Sequence, residues 1–214
     1  MRLGAEKGAS LTLSSKETPP TLTRHSSGFD QFCSMLRNAE NLSILDMSGA
    51  SQANISFVTA FGHRISSDDI VGTMQECFGD DFFDNQQAAS NAQRFLDQTL
   101  KFPDQFFDGA LVWDALQFLT SPLLDQTVAQ LLRVMRPCGA MLVFFNSDEK
   151  AKQIPVYNYR IQDQKTLVQI PRASAGYQRT QFFNNRSIEK IFQSAASLKF
   201  FLTRDHLREV IVRR

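Results

Sequence analysis

Asp46 closes an apolar run (Leu42, Ile44, Leu45) and is followed by the small residues Ser48, Gly49, Ala50 and Ser51, after which a helical pattern begins. An acid, a loop of small residues and a helix start together make a cradle, because the free N–H groups at a helix N-terminus receive a carboxylate or hydroxyl. Asp69 follows Asp46 at close to the interval of about 20 residues that sets an acid on ribose hydroxyls in open α/β sheets. A one-residue slip in strand register would put Asp68 there instead. Trp113 and Asp114 end the apolar run "FDGALVW". Trp113 there walls a pocket or packs in a core, and Asp114 is a candidate base or substrate anchor. The cradle lacks regularly spaced glycines: Ser48, Ala50 and Gln52 stand at alternate positions, with Gly49 out of phase. Two readings follow: the loop holds a nucleotide-like ligand, or it only turns the chain while Asp46 braces it.

These acids need strands to end on. "LSILDM" reads as a strand, "QANISFVTAFG" as a helix stopped by Gly62, and "HRISSDD" as a short strand. "IVGTMQECFG" is partly helical, and "DNQQAASNAQRFLDQTL" is a polar helix or a loose excursion. "FDGALVWDAL" is a buried strand, "SPLLDQTVAQLLRVMRPCG" a helix begun at Ser121-Pro122 and stopped at Pro137-Gly139, and "AMLVFFN" a second buried strand. "VYNYRIQDQKTLVQIPR" reads as a hairpin around a polar turn, a substrate lid or a partner surface inserted over about 155–172. "NRSIEKIFQSA" is a helix, and "LKFFLTRDHLREVIVRR" an antiparallel hairpin that ends the chain. The alternation argues a mostly parallel sheet with a mixed edge. Phe144-Phe145 and Phe200-Phe201 point to opposite faces of their strands, so both faces of the sheet should be covered.

A chain of 214 residues with 43% apolar content fits one domain with a proper core. Residues 1–28, rich in Ser, Thr, Gly and Pro, are expected to be a flexible tail before a domain over 29–214. A net charge of +1 gives no electrostatic signal for nucleic acid. The longest apolar run, Ala140 to Phe145, is too short to span a membrane, and no secretory signal follows Met1-Arg2. Cys33, Cys77 and Cys138 are scattered, which argues against disulfides or zinc and for a reducing cytoplasm. His63 and His206 read as surface residues, and the histidines are too dispersed for a metal cluster.

Three motifs carry a resemblance to a known family over about residues 40–214: "ILDMSGASQAN", "GHRISSDDI" and "FPDQFFDGALVWDALQFL…LLRVMRPCGAMLVFF". Their order resembles that of the S-adenosylmethionine-dependent methyltransferases, in a bacterial branch, with "RPCG" similar to the family's Arg/Lys-Pro-Gly-Gly turn. The resemblance implies a Rossmann-like, doubly wound, mostly parallel seven-stranded sheet with a C-terminal antiparallel hairpin. It implies S-adenosyl-L-methionine as cofactor, with Asp46, Met47, Ser48, Gly49, Ala50, Asp69, Asp97 and Trp113 around it. Asp97 would reach the adenine amino group, and Asp114 would lie beside the reacting methyl. The reaction implied is in-line methyl transfer to an acceptor that stays open, as does the oligomeric state. No Asn-Pro-Pro-Tyr motif follows the fourth strand, which disfavours amino-group methylation of nucleobases or glutamine. The rival expectation is a non-catalytic Rossmann-like module that binds a partner and has a degenerate cofactor loop.

Overall fold

The computed structural model describes residues 21–79, 81–172, 177–178, 181–203 and 205–214. In chain order they form β1 (Leu22–His25), α1 (Ser27–Arg37), β2 (Ser43–Asp46), α2 (Gln52–Ala60), β3 (Arg64–Ser67) and α3 (Ile70–Phe78). Then come α4 (Phe82–Gln87), α5 (Ala89–Gln98), β4 (Phe107–Trp113), α6 (Ser121–Val134) and β5 (Met135–Asn146). The last third holds β6 (Gln153–Ile154), β7 (Tyr157–Ile161), β8 (Thr166–Pro171), β9 (Tyr177–Gln178), α7 (Asn185–Ile191), β10 (Ser197–Leu202) and β11 (Leu207–Arg213).

The main sheet has the order β10-β11-β5-β4-β2-β3. Its β3, β2, β4 and β5 are mutually parallel, β11 runs antiparallel to β5, and β10 pairs antiparallel with β11. The terminal hairpin is therefore as expected, but among the described residues the sheet has six strands, not seven. Between β3 and β4 the chain makes α3, α4 and α5. Its second part, residues 82–98, is rich in Gln, Asn, Ala and Asp and holds no β-branched residue from which another strand would form. Two apolar cores cover the two faces. Phe145 lies in the core under α3–α7 and Phe144 in the core under α1 and α2, the two-faced burial that the adjacent phenylalanines predict.

Two boundaries move. The helix expected to run to Pro137-Gly139 ends at Val134, and Met135 is already extended. Pro137 through Gly139 lie inside β5, where the register with β4 shifts and Cys138 takes a φ of 66°. At such a bulge the missing proline N–H costs no ladder bond. The expected tail of 1–28 is also too long. Residues 1–20 lie outside the described residues, but β1 pairs antiparallel with β8. Ser26 caps α1, its Oγ accepting from Phe29 N at 3.0 Å. Arg24 donates to Glu209 Oε1 at 2.8 Å, and Gly28 N donates to Oε2 at 2.6 Å. This segment looked like a tail because its anchors lie on β11, far off in sequence.

The expected hairpin forms as β7 and β8, joined around Asp163, whose Oδ1 accepts from Lys165 N and Thr166 N at 2.8 Å each. With β1 it makes a separate sheet, β1-β8-β7, on the face of α1 and α2. No helix among the described residues is long and apolar enough to cross a membrane.

Candidate functional site at the switch point of the sheet

From β2 the chain moves outward to β3, then returns to place β4 on the other side of β2. The carboxyl ends of β2 and β4 therefore flank the point where winding reverses, where open α/β sheets take ligands. Asp46 ends β2, Trp113 ends β4 with Asp114 next, and Asp69 follows β3.

In this structure the crevice is filled from within. Asp46 has no exposed surface. Its Oδ1 accepts from Trp113 Nε1 at 2.7 Å and from Ser48 N at 3.1 Å, and its Oδ2 accepts from Asn54 Nδ2 at 2.6 Å. Burial raises its pKa above the usual carboxylate range, against the pull of these donors. The Trp113 indole stacks on the Tyr159 ring, centroids 4.9 Å apart and planes 1° from parallel. Asn54, in the first turn of α2, holds β7 with both ends of its amide. Its Nδ2 donates to the Tyr159 carbonyl at 3.1 Å, and its Oδ1 accepts from Ile161 N at 2.8 Å. Ser48 Oγ lies 3.2 Å from Asp46 Oδ1 and 3.3 Å from the Tyr159 carbonyl, so its one proton serves either. Trp113 sits at φ 57°, a left-handed conformation costing about 1–2 kcal/mol, which the stack and the bond to Asp46 offset.

Asp114 is buried, and the Tyr159 hydroxyl faces it. Burial pushes its pKa up to about 7, with the Tyr159 hydroxyl and the charge of Arg172 pulling the other way. The Tyr159 phenol is held well above its ordinary value by burial and by the facing Asp114.

The loop residues divide. Met47 is a core residue, not a lining one: its side chain packs in the core under α3–α7, and its N–H donates to Leu111 O at 3.0 Å. Ala50 and Gln52 are exposed, and Gln52 Nε2 donates to Ser56 Oγ at 3.0 Å. The crowding therefore comes from Tyr159 and Asn54, not from Gln52. Gly49 is needed where it stands. It has φ 79°, Ser48 forms a bridge with Asp69, and a Cβ on Gly49 would come 3.3 Å from the Asp69 Cβ. Gly49→Ala is expected to lower stability by about 1–2 kcal/mol, the cost of a left-handed Cβ. Urea unfolding checks this; an unchanged midpoint would mean that the loop relaxes freely.

Asp69 caps α3 through Oδ1, which accepts from Gly72 N at 3.0 Å and from Arg172 Nη2 at 2.6 Å. Asp68 turns away, accepting from Leu100 N at 2.9 Å, and its burial raises its pKa. Asp97 is not gathered with the other acids: it is exposed on α5 and accepts from Gln93 one turn earlier. His63 is buried, contrary to the surface position expected. Its Nδ1 accepts from Leu42 N at 3.3 Å and its Nε2 meets Leu36 O at 2.9 Å, tying the end of α1 to the start of β2. Sequence reasoning missed Asn54, Tyr159 and Arg172 as members of the site. The aromatics of "VYNYR" were the available signal. Among the described residues no cluster of His, Cys, Asp and Glu suits a metal ion.

No protein-family model and no curated protein matches the chain. Solved structures that it resembles include S-adenosylmethionine-dependent methyltransferases. One from Methanosarcina mazei is 12% identical, covers 85% of this chain and 96% of its own, and has a TM-score of 0.50. The 1,6-didemethyltoxoflavin-N1-methyltransferase of Burkholderia thailandensis, solved with bound 1,6-didemethyltoxoflavin and S-adenosylhomocysteine, is 12% identical over 88% of this chain and 78% of its own, at 0.47. One from Aquifex aeolicus is 11% identical over 86% and 88%, at 0.45. The Methanosarcina likeness shows a shared fold, and the two lower scores add no argument.

Proposed function

We propose that the chain is an S-adenosylmethionine-dependent methyltransferase whose cofactor crevice is closed in this conformation. One observation carries the reading: on a fold shared with such an enzyme, the acids Asp46, Asp69 and Asp114 follow adjacent parallel strands at the switch point. The donor chemistry suits the cofactor. Asp69, its side chain 46% exposed, is the acid for the ribose hydroxyls, and Asp46 faces the side where a positive amino group would lie. The space does not suit it while Tyr159 and Trp113 fill the crevice. The cofactor, when bound, supplies a methyl group on a positive sulfonium. What the chain itself contributes is orientation, exclusion of water and, at Asp114, a carboxylate at the end of β4 placed to take a proton from an acceptor.

Asp69→Ala is expected to weaken S-adenosylhomocysteine binding by about 1–3 kcal/mol, the scale of charge-assisted hydrogen bonds, while Asp68→Ala leaves it unchanged. Calorimetric titration reads both, and a loss confined to Asp68→Ala would reassign the acid. A second reading, a non-catalytic module, is favoured by the saturation of Asp46 with the chain's own donors. The thermal midpoint separates the two. Ligand at a hundredfold excess over its dissociation constant adds about 2.7 kcal/mol to the folded state. A midpoint that ignores both S-adenosylmethionine and its demethylated product favours the module.

A further inference from the structure

All three acids at the crevice are engaged by the same hairpin. The Tyr159 carbonyl meets Asn54 and Ser48, which hold Asp46, while the Tyr159 ring covers the indole that donates to Asp46. The Tyr159 hydroxyl faces the buried Asp114 carboxyl. Arg172, directly after β8, pairs with Asp69 at 2.6 Å. We infer that the β7–β8 hairpin is a displaceable internal occupant of the crevice, which competes with a nucleoside cofactor and frees Asp46, Asp69 and Asp114 together when it moves out. This rests on the reading proposed above.

The chamber beneath the hairpin is built for polar contacts. Asp46, Ser48, Asn54 and Asp114 are all buried beside Trp113 and Tyr159, in surroundings that would otherwise be apolar core. A flat aromatic ring stacked on Trp113, a carbonyl accepting from Asn54 and an N–H donating to it are groups that a nucleoside also offers. The hairpin belongs to a sheet with no ladder bonds to the main one. It can therefore move without breaking a ladder of the main sheet, at the cost of its side-chain hooks and of withdrawing Tyr159 from the core under α1 and α2.

Trp113 is the sole tryptophan, so its fluorescence reports the plug directly. S-adenosylhomocysteine titrated into the wild type should shift Trp113 emission saturably to longer wavelength as the Tyr159 stack is lost. Asn54→Ala removes the clamp on β7 and should bind the same ligand roughly tenfold tighter or more, because a larger open fraction raises apparent affinity in proportion. Binding seen by calorimetry with no emission change and equal affinity in both proteins would overturn the hairpin's role and leave the methyltransferase reading intact. An Asn54→Ala protein with exposed Trp113 that still fails to bind would overturn both. Should Asn54→Ala fail to fold, the wild-type titration decides alone: a saturable shift supports displacement, and its absence overturns it.

Discussion

Arg24→Ala is expected to lower the unfolding free energy by about 3–5 kcal/mol at pH 8, the usual result of stripping one partner from a buried ion pair. Glu209 has no exposed surface and the Arg24 side chain is 6% exposed, so water cannot replace the lost bond. The guanidinium also lies 5.7 Å from the centroid of the Phe144 ring, and the substitution removes that cation–π attraction too. Burial already raises the pKa of Glu209, outweighing Gly28 N and Arg24. The ion pair and the raised pKa pull in opposite directions, and burial is the stronger because the carboxylate is wholly enclosed. A carboxyl with a raised folded pKa contributes stability below its unfolded pKa and loses it as pH rises through the folded one. Without Arg24 that folded pKa climbs further and Glu209 takes up a proton, so the loss should be smaller at pH 5 than at pH 8. Urea unfolding at the two pH values measures both effects. A loss under about 1 kcal/mol at pH 8 would mean that this pair does not hold β1, and with it the small sheet, against the main one.

The same side chains explain what the sequence disclosed and what it withheld. Asp46 at the end of an apolar run, the paired phenylalanines of β5 and the terminal hairpin announce themselves because alternation and turn chemistry are local signals. Asp69 is legible by its interval from Asp46. The plug is not. Tyr159 meets Asn54 and Ser48 across more than a hundred residues, and Arg172 reaches Asp69 across a similar span. No periodicity encodes such pairings. Gln52 is one of three alternate positions without glycine, yet its place on the outer face of α2 follows only from the helix phase. The burial of His63 depends likewise on α1 packing beside β2. The early end of α6 is hidden because Met135 and Arg136 suit a helix as well as a strand, and only the pairing of Phe107 with Met135 decides between them.

The second large effect concerns Asp114. Its pKa, raised by burial from 3.8 to about 7, means that the folded state binds this proton more tightly than the unfolded chain. The resulting stability is fully present below pH 3.8 and is lost as pH rises through about 7, where the buried carboxylate ionises. A rise of that size corresponds to about 4 kcal/mol at full ionisation, and relaxation of the hairpin around the charge reduces what is observed to about 2–3 kcal/mol. Asp114→Asn has no charge to bury and keeps nearly the same shape. It should therefore be more stable than the wild type by about 2–3 kcal/mol at pH 8, with a smaller advantage at pH 5. Denaturant unfolding of the two proteins across that range checks the sign as well as the size. Parallel curves would mean that Asp114 is solvated in solution, and hence that the hairpin already stands open over the crevice. A difference that widens with pH would show Asp114 sealed beneath Tyr159, and would identify its ionisation as the force that weakens the seal just where the carboxylate becomes able to accept a proton.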